Sequence, residues 1–184
     1  MRVRVPASKS ELIRALVLQS FEPALEIRGD SRCEDVLHVR AALRGLHDGG
    51  RPLHLGDSGL GFRCLALRAS RVEGSKAPIL LTGSDRLLSR PQDELFSILH
   101  TLGARVEREG TQWRITPPAL GRWAVNSLKV RGGESSQFAS AILLSAIDLA
   151  DDFTLVVEEP LRSRGYLKLT LDFLRRSGVA AVES

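Results

Sequence analysis

The sequence has little of what several classes of protein require. Two of its 184 residues are cysteines, Cys33 and Cys64, and they show neither Cys-x-x-Cys spacing nor a nearby pair of histidines. We therefore expect no metal site and no disulfide framework, and we interpret both thiols as reduced. Aromatic residues make up only 5% of the chain, so the stacking platforms that bind single-stranded nucleic acid are poorly supplied.

Long apolar runs are also missing. Basic residues interrupt the first 20 positions, which excludes a secretory signal core, and no stretch is long enough to span a bilayer. A cytoplasmic protein without a membrane partner is the expectation. The 26 Lys and Arg residues exceed the 22 Asp and Glu residues by four and form no dense run. That mild excess is compatible with an anionic small molecule or with weak nucleic-acid contact.

The hydrophobic content of 43% is sufficient for a proper core, and the whole chain, 1–184, is interpreted as one domain. Three stretches each close an amphipathic helix that follows a strand and a polar loop, which indicates three related units and a mixed α/β fold. The predicted strands are 1–6, 25–28, a strand after Pro52, 79–81, a hairpin within 105–116, 128–131, 153–157 and a strand-like end at 179–182. One predicted helix follows Ser8 or Ser10, and another carries Arg63. The other predicted helices occupy 36–46, 92–102, 138–149 and 167–177.

The stretch 130–144 has the outline of an anion site. Gly132 and Gly133 let the backbone turn, and Ser135, Ser136 and the first free N–H groups of the following helix can all donate toward a phosphate or carboxylate. Gln137 adds a carboxamide that can serve a hydroxylated ligand as donor and acceptor. The alternative is a serine-capped helix that binds nothing.

Two further segments favour anion binding. In the segment 56–63, three glycines lead from a strand into a helix that carries Arg63, which brings backbone N–H groups and a guanidinium close to a ligand. Arg90 directly precedes Pro91 at a helix start, where an anion would dock. A glycine-rich turn alone is a weak signal, and a purely structural turn is the alternative.

The first helix places three polar groups close to its beginning. Lys9 and Ser10 lie in its first turn, and Ser10 and Arg14, four residues apart, share one face. They can bind an anion, or they can simply solvate the start of the helix.

These motifs, in this order, resemble the enolpyruvyl transferase family, and within it the EPSP synthase branch. The resemblance covers nearly the whole chain and about the first half of such an enzyme. It is carried by five segments: 6–10 with Arg14, 56–63, Arg90 with Pro91, 135–138 and 163–166.

The resemblance implies a fold in which helices pack inside sheets, and a site on one wall of an interdomain cleft. Ser135, Ser136 and Ser163 would hold the phosphate of shikimate 3-phosphate, and its carboxylate and hydroxyls would be held by Ser10, Arg14, Gln137 and Tyr166. Lys9, Gly59, Arg63 and Arg90, with Gln137, would face phosphoenolpyruvate, and Lys9 would also border shikimate 3-phosphate. The implied reaction transfers an enolpyruvyl group through a tetrahedral intermediate and needs no metal, cofactor or covalent enzyme adduct.

The chain departs from the family pattern at several positions. Asp57 stands where the family has Asn and brings a negative charge near the expected phosphate, Leu60 replaces Thr, and Gly165 replaces Pro. The first unit lacks a hairpin before the glycine loop. The acid/base Asp and Glu of the family belong to the other half, so we expect this chain to bind substrate weakly and not to turn over without a complementary domain.

Two alternatives remain at this point. The sister enzyme that acts on UDP-N-acetylglucosamine shares the fold but usually carries a reactive cysteine before the Arg-Pro pair, and the segment 83–91 has none. We interpret Cys64, which lies in a different motif, as a small buried side chain. The other alternative is a repurposed, non-catalytic module that binds phosphate or RNA.

Overall fold

A computed structural model describes residues 6–48, 50–75, 77–133, 135–149 and 151–183. The predicted strand at 1–6 therefore lies almost entirely outside the described residues. In chain order the helices and strands are α1 (Lys9–Gln19), α2 (Glu34–Arg44), β1 (Leu53–His54), α3 (Gly59–Ala69), β2 (Ile79–Thr82), α4 (Asp85–Leu88), α5 (Asp93–Thr101), β3 (Arg105–Glu109), β4 (Gln112–Thr116), β5 (Ser127–Arg131), α6 (Ser136–Ser145), β6 (Thr154–Glu158) and α7 (Arg164–Arg176).

The strands form two sheets. In the first, in the order β1-β2-β4-β3, β1 and β2 run parallel while β4 pairs antiparallel with both β2 and β3. In the second, β5 and β6 form a parallel pair with Ser127 opposite Thr154. Each parallel pair is joined by a crossover helix, α3 or α6, as parallel strands require.

The core lies between the sheets and is formed largely by helices. Every residue of α3 except Leu60 is buried, and α6 is buried along most of its length. Trp113 of β4 is 1% exposed and packs between two phenylalanine rings, stacked on Phe96 at 4.1 Å and edge-on to Phe62 at 5.4 Å between ring centroids. The mostly apolar sequences of α3 and α6 suit this interior position. The two buried arginines of α3, Arg63 and Arg68, donate hydrogen bonds to Gln137 and Ser20.

The mixed α/β prediction is confirmed, as is its arrangement of helices inside sheets. The second and third units follow the same order of strand, helix, parallel strand and helix. The hairpin predicted within 105–116 is β3 and β4.

Three predictions of local structure are wrong. Neither 25–28 nor 179–182 is a strand, because no strand among the described residues pairs with either segment. The helix predicted to run to Leu149 ends at Ser145, four residues early, and Asp148 beyond it pairs with Arg71 at 2.5 Å. The short helix α4 was not predicted. Ser84 caps it, since its hydroxyl oxygen accepts a hydrogen bond from the Leu87 N–H at 3.1 Å.

Candidate active site at the converging helix starts

The loops that carry the candidate residues follow the carboxyl ends of the parallel strands. The loop after β1 leads into α3, and the segment after β2 leads to Arg90. The loops after β5 and β6 are joined by two backbone hydrogen bonds, from the Gly132 N–H to the Glu158 carbonyl at 3.0 Å and from the Arg162 N–H to the Gly132 carbonyl at 3.1 Å. Parallel pairing therefore places the starts of α6 and α7 side by side.

Side-chain contacts bring three more helix starts to the same end of the molecule. Lys9 at the start of α1 binds Asp35 in the first turn of α2 at 3.0 Å. Gln137 at the start of α6 accepts a hydrogen bond from Arg63 of α3. Arg14 of α1 donates to the Tyr166 carbonyl in the first turn of α7 at 3.1 Å, so the starts of α1, α2, α3, α6 and α7 lie close together. Because each helix start presents unpaired N–H groups and a partial positive charge, this end of the molecule favours anions.

Four predicted residues from three different segments meet at Gly59, the first residue of α3. A Cβ atom placed on Gly59 would lie 2.8 Å from Arg90 Nη1 and 3.4 Å from both Arg63 Nη1 and Gln137 Oε1. Arg63 also lies over the ring of Phe138, with its Cζ atom 4.5 Å from the ring centroid. These distances leave the glycine backbone open toward two guanidinium groups and one carboxamide, which is a set of groups suited to a phosphate or carboxylate.

The predicted serines lie at the starts of α6 and α7. Ser135 caps α6 by accepting a hydrogen bond from the Gln137 N–H at 3.2 Å, whereas Ser136 is the first helical residue and is 2% exposed. Ser163 precedes α7 with φ of 55° and makes no side-chain cap. Positive φ is uncommon for a residue other than glycine and clusters at functional sites.

Lys9, Ser10 and Tyr166 lie where α1 and α7 begin. Lys9 is ion-paired with Asp35, and that hydrogen bond raises the pKa of Lys9 above its usual value. Ser10 is half-buried, and Tyr166 is 52% exposed, so its ring is available to a ligand.

Arg14 differs from the other candidates because it is 1% exposed. Its Nε donates to Thr170 Oγ1 at 2.8 Å, its Nη1 to the Ser10 carbonyl at 2.8 Å, and its Nη2 to the Tyr166 carbonyl at 3.1 Å and Ser140 Oγ at 3.4 Å. The guanidinium therefore ties α1 to α6 and α7. These bonds use four of the five guanidinium N–H groups, and the predicted contact of Arg14 with a substrate carboxylate stays a prediction.

Asp57 does not present an unpaired charge to the site. Its Oδ1 accepts hydrogen bonds from Ser84 Oγ at 2.5 Å and Arg86 Nε at 3.1 Å, and its Oδ2 lies 2.9 Å from Arg86 Nη2. The hydrogen bond from Arg86, followed by that from Ser84, holds the pKa of Asp57 below its usual value. The extra carboxylate of this chain is thus neutralised by a neighbouring cation.

Asp35 and Arg86 were not among the predicted site residues. Each pairs with a residue far away in sequence, Asp35 with Lys9 and Arg86 with Asp57. The only local signal was the acidic first turn of α2, which also suits a helix dipole without any ligand.

Three further observations concern the buried cysteine, metal binding and membrane spans. Cys64 is fully buried, as interpreted, and burial raises the pKa of its thiol to about 12. Within the described ranges, no cluster of three or more His, Cys, Asp or Glu side chains is arranged to hold a metal ion. Nor does any described helix have both the length and the apolar character needed to cross a membrane.

Solved structures define the class of fold. EPSP synthase from Acinetobacter baumannii superposes on 92% of this chain with a TM-score of 0.66, at 20% sequence identity, and the matched region is 42% of that protein. A second structure of EPSP synthase from the same organism gives a TM-score of 0.67. The architecture is therefore that of the enolpyruvyl transferase fold.

Sequence comparison then gives the family. Residues 47–184 match the family model of EPSP synthase (3-phosphoshikimate 1-carboxyvinyltransferase), and the chain belongs to this family. The 3-phosphoshikimate 1-carboxyvinyltransferase of Methanothermobacter thermautotrophicus is 31% identical in an alignment that covers 96% of this chain and 46% of the relative. That of Rhizobium leguminosarum is 28% identical, covering 96% and 47% respectively. The chain thus spans about half the length of these curated relatives.

Proposed function

We propose that this chain is the shikimate 3-phosphate-binding domain of a 3-phosphoshikimate 1-carboxyvinyltransferase and corresponds to the N-terminal half of such an enzyme. The observation that carries the proposal is the meeting of Arg63, Arg90 and Gln137 at the open backbone of Gly59. Three separate motifs supply these residues, and only the fold brings them together.

Shikimate 3-phosphate would lie across the starts of α6 and α7. The hydroxyls of Ser135, Ser136 and Ser163, together with free helix N–H groups, would hold its phosphate. Tyr166, Ser10 and Gln137 would contact its carboxylate and hydroxyls, with Arg14 fixing the carbonyl of Tyr166 from below. Lys9, at the start of α1, would border this subsite.

Phosphoenolpyruvate would lie nearer α3. Arg63 and Arg90 would neutralise its phosphate and carboxylate, the Gly59 N–H and Gln137 would orient it, and Lys9 would approach from α1. Cations fixed around these two anionic groups stabilise the charge that develops when the enolpyruvyl group is transferred. The proton transfers of that reaction would be performed by acidic residues of a complementary domain.

The 184-residue chain is accordingly expected to bind ligand without turnover. A polypeptide carrying the remaining half of the enzyme is the proposed macromolecular partner, and the cytoplasm is the proposed location, since both substrates are small, highly charged metabolites. Nucleic acid is not expected to bind.

Calorimetric titration of shikimate 3-phosphate tests the proposal. We expect saturable binding that weakens about tenfold in Ser136→Ala, given the worth of a hydrogen bond to a charged group, and stays unchanged in the distant Glu26→Gln. A phosphate-release assay with both substrates should show turnover only after the complementary half of a relative is added. Absence of binding to shikimate 3-phosphate, or robust turnover by the chain alone, would refute the proposal. So would tight, salt-dependent binding of RNA in its place.

A further inference from the structure

We propose that Asp57 and Arg86 form a positioning pair that fixes the glycine loop, 55–59, against the segment 83–90 and thereby sets the distance between Gly59 and Arg90. The inference rests on the proposed function, because these two elements form one side of the proposed phosphoenolpyruvate subsite. Neither residue of the pair is proposed to touch substrate.

The pair has a two-point geometry. Two nitrogens of Arg86 engage the two oxygens of Asp57, at 3.1 Å to Oδ1 and 2.9 Å to Oδ2. Such a bidentate contact fixes orientation as well as distance, which a single hydrogen bond does not.

Ser84 adds a third hydrogen bond to the Asp57 carboxylate. Its hydroxyl donates to Asp57 Oδ1 at 2.5 Å and accepts from the Leu87 N–H at 3.1 Å, so one oxygen both caps α4 and binds the glycine loop. The carboxylate of Asp57 is thereby fixed to the first turn of the short helix that leads to Arg90.

The backbones of the two segments are in direct contact beneath this pair. The Leu55 N–H donates to the Thr82 carbonyl and the Ser84 N–H to the Gly56 carbonyl, both at 2.9 Å. A Cβ atom on Gly83 would lie 2.9 Å from the Gly56 carbonyl oxygen. The segments are therefore packed too closely for any other residue at 83 without a backbone shift.

The path from the pair to the site is short. Leu87 and Leu88 of α4 are buried and hold that helix in the core, and the Arg90 N–H donates back to the Leu87 carbonyl at 3.3 Å. Among the described residues, the Arg90 guanidinium has no hydrogen bond or ion pair to hold it. The distance from Arg90 to Gly59 therefore depends on where the backbone of the segment 83–90 lies.

Charge and geometry predict opposite results when the pair is broken. Asp57→Asn removes a negative charge near the subsite and Arg86→Gln removes a positive one. If only charge mattered, the first change would strengthen anion binding, the second would weaken it, and the double variant would resemble the unmodified chain. If the pair positions the site, both single changes weaken binding by a similar factor, and the double variant is no weaker than either.

The test has two arms. In the first, NMR signals of the Gly59 amide and the Arg90 Nε–H are recorded in the ligand-free chain. We expect both to shift or broaden in Asp57→Asn and Arg86→Gln. They should not change in Glu26→Gln or Arg28→Gln, which carry the same charge changes at an exposed pair 3.2 Å apart. In the second arm, phosphoenolpyruvate is titrated into each variant, and both single changes should weaken its binding roughly threefold to tenfold.

Unchanged Gly59 and Arg90 signals in both variants would overturn the inference, as would tighter phosphoenolpyruvate binding by Asp57→Asn. If the unmodified chain bound neither substrate, the proposed function would fail, while the first arm would still decide whether the pair positions the loop. Thermal unfolding of each variant separates a local displacement from loss of the fold.

Discussion

Adding one methyl group at Gly59 tests the geometry of the site with little disturbance elsewhere. The Cβ of Gly59→Ala would lie 2.8 Å from Arg90 Nη1, closer than real Cβ contacts allow, and 3.4 Å from Arg63 Nη1 and Gln137 Oε1. The nearest atom is the end of a flexible side chain, so we expect Arg90 to move away while the backbone stays in place.

The expected magnitude follows from what Arg90 would lose. A hydrogen bond to a charged group is worth about 1.5 to 3 kcal/mol, and each ~1.4 kcal/mol is a factor of ten in affinity. Binding of phosphoenolpyruvate should therefore weaken about 10-fold to 100-fold. Stability should not fall, because alanine is favoured over glycine in a helix by about 0.5 to 1 kcal/mol.

Calorimetric titration of phosphoenolpyruvate, with urea unfolding of the same samples, measures both quantities. Gly165→Ala is the matched control, since Gly165 also lies at a helix start and a Cβ there would meet no atom within 4 Å. Equal affinity in the two variants would show that Gly59 does not border the anion site. Unfolding of Gly59→Ala would show that its backbone cannot accept a side chain for structural reasons.

Three further predictions concern residues inside the fold. Arg14→Met should lower the free energy of unfolding by about 3 kcal/mol in urea titrations, because it leaves buried partners such as Thr170 without their donor; a change below ~1 kcal/mol would contradict this. Burial raises the pKa of the Cys64 thiol to about 12, against 9.0 for an exposed thiol in the unfolded chain. The free energy of unfolding should therefore fall as pH rises from 9 toward 12, with a slope up to ~1.4 kcal/mol per pH unit steeper than in Cys64→Ala. Equal slopes would refute it. The buried Glu94 carboxylate accepts hydrogen bonds from Arg131 Nε at 2.9 Å and Nη2 at 2.5 Å. Glu94→Gln should therefore lower the free energy of unfolding by about 1 to 2 kcal/mol, and an unchanged urea midpoint would count against this role.

Sequence reasoning singled out the loops of the candidate site because their chemistry is local. Glycines before a helix, hydroxyls at an N-cap and an arginine before proline each have a physical meaning within a few residues. The parallel strand pairs then follow from the alternation of strand and helix. Gly59 and Arg63 were predicted from one segment, whereas the family resemblance placed Gln137 in the same site.

Long-range pairing could not be predicted in the same way. Arg86 lies 29 residues beyond Asp57, and Lys9 lies 26 residues before Asp35. Nothing in the local pattern links the members of either pair. The burial of Arg14 was equally unpredictable. Nothing in the sequence around this helical arginine indicated that the fold would bury it.

The segments wrongly predicted as strands show that alternation of apolar and polar residues is not sufficient to form a strand. Leu25 and Ile27 alternate with charged residues and pack partly against the core, as a strand would. A strand also needs a neighbour to receive its backbone hydrogen bonds, and among the described residues this segment has none. Pairing is a property of the fold and not of the segment.

The central claim, that anionic substrate binds where the helix starts converge, is tested most directly by amide NMR during titration with shikimate 3-phosphate. We predict that the largest shifts occur at Gly59, Ser136, Gln137 and Tyr166. Shifts concentrated instead around Trp123, which lines a separate cavity of about 730 Å³ near the other ends of α3 and α6, would contradict the assignment of the site.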